Sequence, residues 1–189
     1  MNCEIDISNV KIETKRVLLR PFELEDLNDF FEYASVEGVG EMAGWIHHTS
    51  LEQTKTILDL FIKHKKVFAV VLKENQKVIG SLGIEAYDEK KLNEFDSWKG
   101  REIGYVLSKM YWGKGLIPEA LEAVIQYLFE KVKVDFLVCS YFNDNYQSKR
   151  VQEKCGFQFY KQMTYESAVG KKDIHLNILW KKDYENGKL

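Results

Sequence analysis

Two glycines one residue apart, Gly113 and Gly115, stand between a β-rich run, REIGYVL at residues 101–107, and a run that turns helical. That junction constrains the fold more than any other stretch. Ala120, Leu121, Val124, Ile125, Leu128 and Phe129 recur at helical spacing, whereas Glu122, Gln126 and Glu130 fall elsewhere, so the spacing predicts an amphipathic helix laid on a sheet. Pro118 suits the first turn, where a missing N–H costs nothing, and Glu119 suits the positive end of the helix dipole.

Without a Cβ, the two glycines let consecutive backbone N–H groups turn toward one point, and the free N–H groups of the first helical turn join them. Such a nest binds an anion, and a diphosphate offers it several acceptor oxygens, with Lys114 adding a positive charge. The same residues also fit a tight strand-to-helix turn with no ligand. Two familiar phosphate loops are excluded. A Walker A loop needs glycine where Ser108 stands and Ser or Thr where Gly115 stands, and a dinucleotide fingerprint needs glycine at Pro118.

Elsewhere, RVLLR at 16–20 reads as a strand closed by Pro21, and ELEDLNDFFEYA as a helix. Residues 35–49, with three glycines and two adjacent histidines, read as a loop or a broken helix. Ser50 and Gln53 fit a capping box opening a helix that runs to about Lys66. VFAVVL and KVIGSLGIEA make an antiparallel hairpin, and residues 87–100 a polar connection. VDFLVCSYF is a strand, NYQSKRVQEKC a helix, and FQFYKQMTYE with DIHLNILWKK a closing pair of strands. This order implies an α/β (α+β) chain with one mixed, mostly antiparallel sheet and helices on its faces.

The 189 residues suit a single domain spanning 1–189, and 45% apolar with 30% charged residues suits a soluble globular chain. A formal charge of −2 with no long basic arm argues against nonspecific nucleic-acid binding; the Lys63-His64-Lys65-Lys66 run reads as a solvated helix end. Cys3, Cys139 and Cys155 have no paired spacing and read as reduced thiols. The first 20 residues lack an unbroken apolar stretch, and no later run is long enough for a membrane span, so a cytoplasmic location with no membrane partner is expected. His47, His48, His64 and His175 lack metal-ligand spacing, and no metal is expected.

EIGYVL, YWGKGLIPEAL and NYQSKRVQEKCGF, in that order, together with IETKRVLLRPFELEDL and VIGSLGI, resemble the GNAT acetyltransferases, in particular their RimJ/RimL branch, over almost the whole chain. The resemblance implies a GNAT fold whose central strand pair is splayed, with acetyl-CoA as co-substrate and an amine as acceptor. It implies that Trp112, Gly113, Lys114, Gly115, Leu116 and Ile117 hold the diphosphate through backbone N–H groups, which is the nest derived above. Met110 stands where the family usually has Gln or Arg, a departure the backbone cradle tolerates. Main-chain groups of Tyr105, Val106 and Leu107 are implied to pair with the pantetheine arm, as an unpaired sheet edge does with any amide. Asn145, Ser148, Gly156 and Phe157 keep the family spacing of the late helix, and Lys154 is implied near the adenosine end, the other reading being a solvated lysine. Many members carry a tyrosine seven residues after the asparagine; here Gln152 stands there, which is no acid. In the RimL branch a serine at the place of Ser148 is the proton donor. Ser148 is also read as a helix-face hydroxyl bonding its own backbone or the sulfur.

Direct transfer needs an uncharged amine. At pH 7 an α-amino group of pKa ~8 lies about 1.4 kcal/mol from its neutral form and a lysine of pKa ~10.4 about 4.6 kcal/mol, so a base matters more for lysine. Glu102, opening the strand before the loop, is the first candidate base, and Glu85 its rival; a one-residue change of facing removes either from the site. Cys139 and Cys155 are expected to be packing residues rather than nucleophiles. Trp45, His47 and Trp98, in the two long connections, are expected walls of the acceptor pocket. The expected activity is acetyl transfer to a primary amine, a protein N-terminus or a small molecule, by a monomer or homodimer. The alternative is a CoA-binding regulatory or interaction domain without catalysis.

Overall fold

Alternation along VFAVVL sends its side chains into two different cores. Val67, Ala69 and Val71 face one side of the sheet, and Phe68, Val70 and Leu72 the other, every one of them buried. In the computed structural model, which describes residues 1–187, this run is β3 (Val67–Leu72), preceded by β1 (Ile12–Glu13), β2 (Val17–Pro21), α1 (Leu27–Ala34) and α2 (Leu51–His64). It is followed by β4 (Lys77–Glu85), β5 (Gly100–Leu107), α3 (Leu116–Tyr127), β6 (Phe136–Phe142), α4 (Tyr146–Lys154), β7 (Gln158–Ser167), β8 (Gly170–Trp180) and α5 (Lys181–Asn186).

The eight strands form one sheet in the order β1-β2-β3-β4-β5-β6-β8-β7. Every neighbouring pair is antiparallel except β5 and β6. This is the mixed, mostly antiparallel sheet expected, with the VFAVVL hairpin and the closing strand pair where they were placed. The parallel ladder of β5 and β6 covers only Gly100–Glu102 against Phe136–Val138. Beyond Glu102 the two strands part, opening a wedge in the middle of the sheet.

Helix α3 packs on one face: Leu116, Ile117, Ala120, Leu121, Val124 and Ile125 are buried against Phe68, Val70, Ile79 and Ile103. It continues as a π-helical turn, Leu128–Val132, and stops at Lys133 in the left-handed region at φ 65°. Helices α1 and α2 cover the opposite face through Phe30, Tyr33 and Leu58. A third cluster, with Tyr87, Phe95, Phe136 and Ile178, lies under the 87–100 connection.

Three local expectations change. The capping box is offset, because Ser50 Oγ accepts the Gln53 N–H at 3.2 Å while Gln53 Oε1 takes the N–H of Thr49, at 3.0 Å, in place of that of Ser50. The first helix starts after a 3-10 turn, Leu24–Asp26, where both oxygens of Asp26 accept from Arg20 at 2.7 Å and pin β2 to α1. The final strand ends at Trp180, and Lys181 begins α5. Among the described residues no helix is long and apolar enough to cross a membrane.

Candidate active site

Gly113 and Gly115 adopt φ 75° and 72°, conformations that L side chains adopt at a cost and glycine does not. No acceptor among the described residues takes the backbone N–H groups of Gly113, Lys114, Gly115, Leu116 or Ile117. The carbonyls of the same turn are occupied: Arg16 donates from Nη1 to Lys114 O at 2.8 Å and from Nη2 to Gly115 O at 3.1 Å. A peptide plane held by its oxygen presents its N–H on the other side, so Arg16 fixes the direction in which the cradle opens. Glu119 holds Arg16 in turn, through Nε at 2.6 Å and through the Arg16 backbone N–H at 2.7 Å, and it accepts from Thr14 Oγ1 at 2.6 Å. Burial pushes the Glu119 carboxyl up, but these hydrogen bonds outweigh it and its pKa is lowered. A run of unpartnered N–H groups across a positive-φ turn at a helix start is the kind of site that fits a diphosphate. Lys114 projects its ammonium over the Tyr111 ring at 5.0 Å.

The register decides which main-chain groups face the wedge. Ser108 N–H donates to Ile79 O at 2.8 Å, and Leu107 stands opposite Gly80. In an antiparallel ladder this makes Val106 and Ser81 the mutually bonded pair. Val106 therefore spends its N–H and C=O on β4, which corrects the expectation that it offers them to a ligand. Tyr105 and Leu107 point their main chains at the gap, and the Leu107 carbonyl is taken by Trp112 Nε1 at 2.7 Å. The Trp112 side chain thus braces the strand end.

Glu102 and Glu85 are directly opposite across β5 and β4, so both face the same side of the sheet. Glu102 is half-buried, and Ser140 Oγ donates to its Oε1 at 3.0 Å. Burial raises the pKa of Glu102 and the Glu85 charge adds to this, against the opposing Ser140 hydrogen bond. Glu85 instead forms an ion pair with Lys66. On the other face, Asn145 caps α4 by accepting the Ser148 N–H at 3.1 Å and donates to Met42 O at 3.2 Å. Ser148 Oγ meets the Tyr105 hydroxyl at 2.8 Å and Gln152 Nε2 at 3.2 Å. Lys154 is exposed at the end of α4.

The expected acceptor walls separate. His47 Nδ1 lies 2.8 Å from Glu41 Oε1, which also accepts the His47 N–H at 3.0 Å, while Glu41 Oε2 accepts the Gly38 N–H at 2.7 Å. Burial pushes Glu41 up, yet the hydrogen bonds from His47 and Gly38 prevail and bring its pKa to about 2. His47 is thereby tied into its own loop. Trp45 packs on His48 at a ring separation of 5.1 Å and against the α1–α2 core. Trp98 stacks edge-on with Trp180 at 5.6 Å, before Gly100, at the end where β5 and β6 are still paired; that placement corrects its assignment to the acceptor pocket. Gly104, unremarked in the sequence, lies between Glu102 and Val106 on their face, exposed and with no atom within 4 Å of where a Cβ would stand.

Cys139 and Cys155 are buried, and burial holds the first thiol well above its usual range and pushes the second up to about 12, so neither is a ready nucleophile. Among the described residues no three His, Cys, Asp or Glu side chains cluster as metal ligands.

With this geometry in view, a domain model described as acetyltransferase (GNAT) domain matches residues 16–158. The chain is 28% identical over 179 residues to the uncharacterized N-acetyltransferase p20 of Bacillus licheniformis, covering 90% of this chain and 96% of that one. Among solved structures, a GNAT-family acetyltransferase from Bacillus anthracis superposes at a TM-score of 0.80 with 23% identity, over 92% and 99% of the two chains. The ribosomal-protein-S5-alanine acetyltransferase of Vibrio fischeri gives 0.72 at 20% identity, over 93% and 99%. The microcin C7 self immunity acetyltransferase MccE, in complex with acetyl-CoA and AMP, gives 0.74 at 15%, over 88% and 93%. These structural likenesses speak for the fold.

Proposed function

The chain belongs to the GNAT acetyltransferase family, and from that premise we propose that it is an acetyl-CoA-dependent N-acetyltransferase of the RimJ/RimL type acting on a primary amine. The single observation that carries the reading is the row of unpartnered N–H groups from Gly113 to Ile117, next to the main-chain groups of Tyr105 and the N–H of Leu107 that face the wedge. One feature suits a diphosphate and the other an amide-bearing arm, and acetyl-CoA carries both in sequence.

The two faces of the wedge divide the chemistry. Glu102 faces the α1–α2 side, and its raised pKa makes it a better proton acceptor than an ordinary carboxylate for an approaching ammonium. Ser148 stands on the α4 side, where its hydroxyl can donate to the departing sulfur. Glu85, committed to Lys66, acts on Glu102 by its charge. No residue needs to be acylated, because amine and acetyl donor meet from opposite sides of the sheet.

The test is turnover. Purified protein with acetyl-CoA and a panel of N-terminal peptides, polyamines and amino-nucleosides is expected to release thiol and yield a product heavier by one acetyl group. CoA binding with no thiol release across the panel would refute the enzymatic reading.

Two substitutions probe the geometry. Arg16→Met removes the clamp on the Lys114 and Gly115 carbonyls while leaving the glycines in place. CoA affinity measured by calorimetry is expected to fall roughly tenfold, the value of one charge-assisted hydrogen bond spent on preorganisation. Gly104→Phe fills the space between Glu102 and Val106. It is expected to raise KM for the amine at least about tenfold with CoA affinity within about twofold, since lost ground-state binding appears in KM. Steady-state kinetics beside calorimetry distinguish the two.

A further inference from the structure

Gln152 occupies the place of an acid it cannot replace, yet it is fully buried and hydrogen-bonded on both sides of its amide. Its Oε1 accepts from Asn177 Nδ2 at 2.9 Å, and its Nε2 donates to the Ser140 carbonyl at 3.2 Å. A carbonyl only accepts, so the amide has one orientation. The remaining N–H of Nε2 must then be donated to Ser148 Oγ, at 3.2 Å. The Tyr105 hydroxyl reaches the same Oγ at 2.8 Å and the Ser148 carbonyl at 3.2 Å.

We propose that Gln152 and Tyr105 are positioning residues that fill both lone pairs of Ser148 Oγ, so that its hydroxyl faces the cofactor sulfur as an obligate donor. The inference rests on the acetyl-CoA reading above. A hydroxyl has one proton and two acceptor sites. With Gln152 filling one site, the tyrosine proton chooses between the Ser148 carbonyl and Ser148 Oγ. When a thiolate arrives, rotation of the two hydroxyls places Tyr105 O–H on Ser148 Oγ and Ser148 O–H on the sulfur. No covalent bond forms or breaks in this arrangement. Burial holds the Tyr105 phenol well above its usual pKa, consistent with a group that donates a hydrogen bond and keeps its proton. The same side chains join β5, α4, β6 and β8 across the wedge, so the donor is registered to the strand edge that would hold the pantetheine arm.

A donor hydroxyl aimed at sulfur stabilises the thiolate of bound CoA, which can be read without any acceptor. The measurement is the acid dissociation of the bound thiol, followed by the 13C shift of the carbon next to sulfur in labelled CoA. In the parent protein the thiol is expected to be at least about tenfold more acidic than in free CoA, the effect of one hydrogen bond to a charged acceptor. Ser148→Ala abolishes the effect. Tyr105→Phe and Gln152→Met each remove most of it, with CoA affinity within about twofold and, in turnover, kcat lowered about tenfold at unchanged KM for acetyl-CoA. Gln152→Glu, which substitutes an acceptor for the donor, is expected to be worse than Gln152→Met. Thermal melts check that each variant is folded, and Tyr105→Phe, a change of one hydroxyl, serves if the buried Gln152 variants are not. Thiol acidity and kcat unaltered in folded Tyr105→Phe or Gln152→Met overturn the positioning role and leave the acetyltransferase reading standing. Failure of the parent protein to bind CoA overturns both.

Discussion

Gly113→Val is expected to reduce CoA affinity at least a hundredfold. Nothing lies within 4 Å of the added Cβ, so the loss does not come from a clash. It comes from the backbone: φ is 75° there, and a β-branched residue is among the least tolerant of that region. Relaxing toward negative φ would rotate the adjoining peptide planes and turn N–H groups away from the common point. Each charge-assisted hydrogen bond is worth about 1.5–3 kcal/mol, so losing two suffices for the hundredfold effect. Asparagine tolerates the left-handed region several-fold better than most residues. Gly113→Asn is therefore expected to keep CoA affinity within about tenfold of the parent. Equal, severe losses in both variants by calorimetry would point to sterics instead of backbone conformation.

Glu102→Gln is expected to lower kcat by about 10²–10³, the range of a general base, and more steeply for a lysine-like amine than for an α-amine, because the neutral form of the former is rarer. In the parent, the rate is expected to fall as pH drops through the pKa of Glu102, which burial has raised above the ordinary carboxylate range. The variant loses that limb. Stability moves the other way. A carboxyl whose folded pKa is raised contributes stability below its unfolded pKa, and that contribution is lost as pH rises through the folded value. Gln mimics the protonated form and can still accept the Ser140 hydrogen bond, so at neutral pH the melting temperature of the variant is expected to equal or exceed the parent's. A variant that is both inactive and less stable would indicate a structural role for Glu102.

The sequence made some of this legible and hid the rest for physical reasons. The faces of α3 and the β3–β4 hairpin could be read because 3.6 and 2 are periods written locally into the chain. The two glycines declared their positive φ because few other residues adopt it. Arg16 was invisible as a clamp: its partners Lys114 and Gly115 lie 98 and 99 positions away, and nothing local marks an arginine for distant carbonyls. Which amides of EIGYVL face the wedge turned on a ladder register, and one residue of it moved Val106 from the ligand to β4. Gln152 looked like a lost acid because its role exists only once Ser140, Ser148 and Asn177 converge on it. Trp98 was misassigned since connections show their aromatic content and not which end of a sheet they cross. A glycine in a strand, Gly104, carried a signal that was there to be used: an exposed position without a side chain between two residues of the site face.

The central claim is that the amides of Gly113 through Ile117 grip the diphosphate of CoA. Its most direct test is a 15N-labelled amide titration with CoA, repeated with pantetheine lacking the diphosphate. With CoA those five resonances are expected to move downfield together and saturate with the binding isotherm, and with pantetheine to stay in place while Tyr105 and Leu107 shift. Saturable CoA binding that leaves the five amides unmoved would contradict the account.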